Sequence, residues 1–91
     1  MFNAFTATVH GRVQGVGFRY FVKDRAEGLN LTGWVRNNPD RTVELLVKGP
    51  RPSLEQIMQC IRTGPIGSRV ERVDTQWVEE TKKFYGFEII G

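Results

Sequence analysis

The sequence predicts an α+β two-layer sandwich in which two helices cover one face of an antiparallel sheet. Three observations carry this. Period-two alternation of apolar and polar residues appears around Phe5–Val13 and Thr42–Lys48. Period-3.6 apolar stripes appear in two places between and after these strands. The whole pattern fits into 91 residues, which is room for a single core and hence one domain over residues 1–91.

Each element has its own signal. From Phe5 to Val13, the residues Phe5, Ala7, Val9, Gly11 and Val13 point one way, and Thr6, Thr8, His10 and Arg12 the other. Gln14-Gly15-Val16-Gly17 is a glycine-rich turn. Phe18, Phe21, Val22, Ala26 and Leu29 then recur at helical spacing, with Gly28 placed to end the helix. Leu31 to Asn37 reads as a second strand, Asn38-Pro39-Asp40-Arg41 as a turn, and Thr42 to Lys48 as a third strand forming a hairpin with it. After Gly49-Pro50-Arg51-Pro52, a second helix carries Leu54, Ile57, Met58 and Ile61 on one face, with Ser53 as a cap. Val70 to Val78 is a strand whose inward face is either Val73/Trp77 or Val70/Asp74. Phe87 and Ile89 mark a short last strand.

The order is therefore β-α-β-β-α-β plus a short terminal strand, the ferredoxin-like arrangement. The sheet face away from the helices is expected to be wet, which suits Thr8, His10, Arg12, Glu44 and Lys48.

Composition narrows the function classes. Hydrophobic residues make up 40% and charged residues 25%, a globular profile. No apolar run reaches the roughly 18 residues of a membrane span. The stretch Met1–Thr6 lacks the basic and apolar regions of a secretory signal. The single cysteine, Cys60, excludes an intrachain disulfide and a multi-cysteine zinc site. A cytoplasmic, monomeric protein with no membrane partner is the expectation.

The net charge of +3 lies wholly in the first half. Residues 1–50 carry Arg12, Arg19, Lys23, Arg25, Arg36, Arg41 and Lys48 against Asp24, Glu27, Asp40 and Glu44, whereas residues 51–91 are balanced. An anion site should be local, not a long basic stripe. RNA-recognition modules share this topology, but their aromatic strand motif is missing, so no nucleic-acid partner is expected.

The densest chemistry is Gly11-Arg12-Val13-Gln14-Gly15-Val16-Gly17-Phe18-Arg19. A strand passes through two spaced glycines into a helix that carries an arginine in its first turn. Backbone N–H groups can converge there, the helix N-terminus adds partial positive charge, and Arg19 adds a planar fork for two phosphate oxygens. The segment Gln14, Gly15, Val16, Gly17, Phe18 and Arg19 thus describes a cradle for a tetrahedral dianion. The plainer alternative is a tight turn with Arg19 exposed on a helix. No Gly-Lys-Ser/Thr follows, so this is not a Walker A loop.

Asn37 shares parity with Val35 at the end of the second strand. Facing the helices there, its carboxamide could hold a water by accepting one hydrogen bond and donating another. Alternatively Asn37, like Asn38, simply starts the turn. His10 on the wet face, Cys60 on the second helix, and Trp34, Trp77 and Tyr20 are read as structural or packing residues.

Taken together, Gly11-Arg-Val-Gln-Gly-Val-Gly-Phe-Arg19, Gly33-Trp-Val-Arg-Asn37 and Thr42-Val43-Glu44 resemble the acylphosphatases over nearly the whole chain. The resemblance implies metal-free, cofactor-free hydrolysis of acyl phosphates to a carboxylate and inorganic phosphate, which would also act as an inhibitor. It implies that the loop cradles the phosphoryl group, Arg19 clamps its oxygens and Asn37 orients the attacking water. Members usually carry Asp-Gly in the hairpin where this chain has Asp40-Arg41, which bears on the geometry of that turn. The competing implication is an acylphosphatase-like domain that binds phosphate or carbamoyl phosphate within a larger maturation enzyme.

Overall fold

Seven elements follow one another in the computed structural model, which describes residues 2–91; Met1, part of the segment weighed as a signal, lies outside the described residues. They are β1 (Ala4–Arg12), α1 (Phe18–Gly28), β2 (Thr32–Asn37), β3 (Val43–Lys48), α2 (Arg51–Thr63), β4 (Arg69–Val78) and β5 (Phe87–Ile89). The strands form one sheet in the order β4-β1-β3-β2-β5. Phe5, Ala7, Val9 and Val13, followed by Val35, Leu45 and Val47, point inward from it. They meet Phe18, Val22 and Ala26 of α1 and Leu54, Ile57, Met58 and Ile61 of α2 in one core. Each of the larger side chains contributes about 1.5–3 kcal/mol by leaving water. Among the described residues no helix is long and apolar enough to cross a membrane.

The sheet is mixed, not wholly antiparallel: β5 runs parallel to β2, with Gly33 beside Phe87 and Val35 beside Ile89. The route of the chain explains this. β4 ends next to Ala4. The following segment is pinned to Asn3, whose amide and carbonyl exchange bonds of 3.0 and 2.8 Å with the Glu80 backbone. It then meets Lys48, whose ammonium donates to the Lys82 carbonyl. The chain therefore reaches the far edge at the end where β2 begins, and can only run alongside it.

Three local expectations are revised. Helix α1 is closed by Asn30, at φ 57°, and not by Gly28, which remains helical. The Leu31 N–H bonds the Ala26 carbonyl and the Asn30 N–H bonds the Glu27 carbonyl, at 2.9 and 3.1 Å. This is a Schellman closure, with buried Leu31 and Ala26 at its two ends. Helix α2 starts at Arg51 from Pro50, so Ser53 already lies inside the first turn and makes no cap. Proline needs no N–H partner there and presets the helical φ, so Pro52 favours the earlier start.

The third concerns β4. Its pairing with β1 shifts between His10 and Gly11, so that Arg72 faces His10, Val70 faces Gly11, and Glu71 is the extra residue of a bulge. The bulge reverses the parity of the strand. Val70, Val73 and Trp77 all pack against the core, and Asp74 lies on the open face. Neither of the two alternating patterns holds through the whole strand.

Candidate active site

The site lies at the end of the sheet opposite the β5 entry, where β1 and β2 finish. Val13 is buried and anchors the chain as it leaves β1. Gly15 and Gly17 then take φ of 74° and 76°, a left-handed conformation open to glycine at little cost. Gly17 is the residue from which α1 starts, and no side chain caps the helix. The first helical bond runs from the Phe21 N–H to the Gly17 carbonyl at 3.0 Å. The N–H groups of Phe18, Arg19 and Tyr20 precede that ladder, and no acidic residue sits in the first turn to answer the helix dipole.

Gly15, Gly17, Phe18, Arg19, Tyr20 and Asn37 line a common cavity of about 110 Å³. Residues far apart in sequence are thus brought together: the glycine loop and Arg19 from the β1–α1 junction, Asn37 from the end of β2. Among the described residues Arg19 makes no ion pair. The Asn37 side-chain oxygen is buried and has no hydrogen-bond partner within the protein. An unpaired buried acceptor costs about 1–3 kcal/mol, so a donor from a ligand or water is strongly favoured there.

Two members of the expected loop have different surroundings. Val16 packs partly against the core. Gln14 directs its side-chain amide away from the cavity and donates to the carbonyls of Asn38 and Thr42, at 2.9 Å each. The loop is thereby tied to the β2–β3 turn. Sequence reasoning missed this brace, since nothing in the spacing pairs position 14 with positions 38 and 42. It also misread Tyr20, which is 68% exposed at the cavity and is not a packing residue.

The turn itself is held by side chains. The Asp40 carboxylate accepts from the Thr42 N–H at 3.1 Å and from the Thr42 hydroxyl at 2.6 Å. Those bonds hold its pKa below the ordinary carboxylate value. The Asn38 amide donates to the Thr42 hydroxyl and to Glu44, the turn role expected of it. Arg41 adopts φ 75°, the left-handed conformation that glycine would take more easily.

The remaining candidates sit apart from the cavity. His10 is on the open face, 2.9 Å from the Asp74 carboxylate. Trp77 packs edge-on against Phe5. Trp34 is half-buried on the open face under the Arg36 guanidinium. Cys60 is half-buried on α2.

The acylphosphatase family model matches residues 5–89. The chain belongs to the acylphosphatase family. Similarity to individual members is close and runs nearly end to end. An acylphosphatase of Bacillus licheniformis is 51% identical over 80 residues, covering 88% of this chain and 86% of that one. The crystal structure of acylphosphatase from Bacillus subtilis superposes with a TM-score of 0.94 at 35% identity, covering 97% of this chain and 98% of the other. Full-length HypF, in its phosphate- and nucleotide-bound form, contains a similar region: TM-score 0.90 and 32% identity over all of this chain, but only 12% of HypF. The chain is a hydrolase of the acylphosphatase type, with the ferredoxin-like fold of that family.

Proposed function

We propose that the cavity between the 14–19 loop and Asn37 is the active site, and that Arg19 and Asn37 are its catalytic residues. The observation that carries this is the unpaired, buried Asn37 oxygen in the same cavity as Arg19 and the open helix N-terminus.

The substrate, an acyl phosphate, is a mixed anhydride with a good carboxylate leaving group, so catalysis rests on positioning and charge stabilisation. The N–H groups of the loop and of the first helical turn, with the Arg19 guanidinium, hold the equatorial phosphoryl oxygens. Those oxygens carry the charge of the transition state. The Asn37 oxygen accepts a hydrogen bond from a water and sets its lone pair toward phosphorus, in line with the leaving oxygen. The water oxygen forms the new P–O bond as the bond from phosphorus to the acyl oxygen breaks. The acyl group leaves as carboxylate, and the water's protons end on the phosphate product and its surroundings. Val16 and Gln14 contribute backbone to the loop; the Gln14 side chain braces it.

This reading carries inorganic phosphate as product and competitive inhibitor, and a monomer working in the cytoplasm, in keeping with a single cysteine and a site built within one chain. It involves no metal, so chelator leaves the rate of acetyl phosphate hydrolysis unchanged. Arg19→Ala removes both anion binding and charge stabilisation and is expected to abolish turnover. Near-normal turnover by that variant, or loss of activity in chelator, overturns the mechanism.

The similarity to a segment of HypF favours a second reading, in which such a domain handles phosphate or carbamoyl phosphate for a larger protein. Turnover of acetyl phosphate by the isolated 91-residue chain decides between them.

A further inference from the structure

Beside the catalytic cavity lies a second one, of about 390 Å³, lined by Gly11, Arg12, Val13, Gln14, Gly15 and Arg41. The two share Val13 and Gly15, so they adjoin at the glycine loop. Two arginines and no carboxylate line the second cavity. Among the described residues, neither the Arg12 nor the Arg41 guanidinium makes an ion pair or a side-chain hydrogen bond.

No neighbouring carboxylate among the described residues pairs with either of them. Arg12 stands opposite Arg69 in the β1–β4 ladder. The Asp40 carboxylate, next to Arg41, is occupied by two bonds from Thr42. Arg12 and Arg41 also border the adjoining open hollow, which Asp40 and Glu71 line with His10, but neither carboxylate pairs with an arginine there and neither lines this cavity. Arg41 is also held in place. It sits between Asn38 and Thr42, whose carbonyls are both bonded by Gln14 of the loop, and its backbone is fixed in a left-handed conformation.

We infer that this cavity is a second anion subsite, and that the preferred substrate is an acyl phosphate whose acyl group carries a carboxylate, as in the monoacyl phosphate of a dicarboxylic acid. The inference rests on the proposed active site, which supplies the first subsite for the phosphoryl group. Arg41 and Arg12 act as specificity-determining residues: they bind the remote carboxylate in ground and transition state alike, so their effect falls on KM. Both are exposed, and water screens them. The preference is therefore modest, about three- to tenfold in kcat/KM.

The test compares succinyl phosphate with butyryl phosphate, which has the same carbon count and no second charge. The wild type is expected to favour succinyl phosphate through a lower KM. Arg41→Asn removes the charge with a residue that tolerates the left-handed conformation, and should bring the succinyl-to-butyryl ratio toward one. Arg41→Lys should retain most of the preference. Arg62→Gln removes a positive charge on α2, away from the site, and should leave the ratio as it is. A ratio unchanged in Arg41→Asn, or altered equally by Arg62→Gln, overturns the subsite while the proposed mechanism stands. Failure of the wild type to hydrolyse either compound overturns the active-site reading, and the subsite falls with it.

Discussion

The side-chain amide of Gln14 donates to the Asn38 carbonyl at 2.9 Å, and the same nitrogen reaches the Thr42 carbonyl at the same distance. One residue of the glycine loop thus fixes the distance between that loop and the end of β2, where Asn37 sits. Gln14→Ala removes both bonds, while the two carbonyls keep the backbone N–H groups of Arg41 and Asn38 as partners. A loss of about 1–2 kcal/mol in urea unfolding is expected. kcat/KM should fall as well, by less than in Arg19→Ala, because the catalytic groups remain. Gln14→Glu cannot donate and should not rescue either quantity.

Asn37 separates activity from stability. Its carboxamide oxygen has no hydrogen-bond partner within the protein, so Asn37→Ala breaks no bond of the fold while removing the proposed water-orienting group. The rate constant kcat should drop on the order of 10²–10³, by analogy with loss of one positioned hydrogen-bonding group. Thermal unfolding should show little change in stability, within about 0.5 kcal/mol. A variant that loses activity because it unfolds contradicts the assignment.

Arg41 holds a left-handed conformation that disfavours side chains. Arg41→Gly relieves that strain and should stabilise the protein by about 0.5–1 kcal/mol after allowing for the extra freedom of glycine in the unfolded chain. Denaturant midpoints at constant slope measure this directly.

Asp40 titrates below its ordinary value because the Thr42 hydroxyl and N–H donate to its charged form. The folded state therefore binds this proton less readily than the unfolded chain does. The stabilisation is complete above the unfolded value near 3.9 and is lost as pH falls through the lower folded value. Asp40→Asn should remove this contribution: the stability difference between wild type and variant should shrink as pH is lowered from neutrality through the acid range. A difference independent of pH would mean that the carboxylate charge plays no part in holding the turn.

Much of this molecule is legible in the chain because its signals are local. Alternation through Phe5, Ala7 and Val9 and the stripe Leu54, Ile57, Met58 and Ile61 are read directly from periodicity, and both are buried as expected. What escaped depends on partners distant in sequence or on competition between local signals. The bulge at Glu71 exists only in register with His10 and Gly11, so no pattern within β4 could disclose that Val70 and Val73 share a face. The parallel direction of β5 follows from contacts at Asn3 and Lys48. Gly28 lost the helix end to Asn30 because the Schellman bonds bring apolar Leu31 back onto Ala26, and burial outweighed the preference for glycine. At the site, the types of residue were legible from motif and spacing. The brace from Gln14 and the exposure of Tyr20 were not.

β1 lies inside the sheet, paired with β4 from Ala4 to Arg12 and with β3 from Ala4 to Val9. Its amides are the kind that open only when the whole molecule does, whereas the free amides of the first helical turn of α1 face the cavity. Hydrogen exchange should therefore pass from slow to fast between Val9 and Arg19. The proposed cradle is a short stretch that follows directly on this central strand and is tied by Gln14 to the β2–β3 turn. It should therefore keep its shape without a bound anion to organise it.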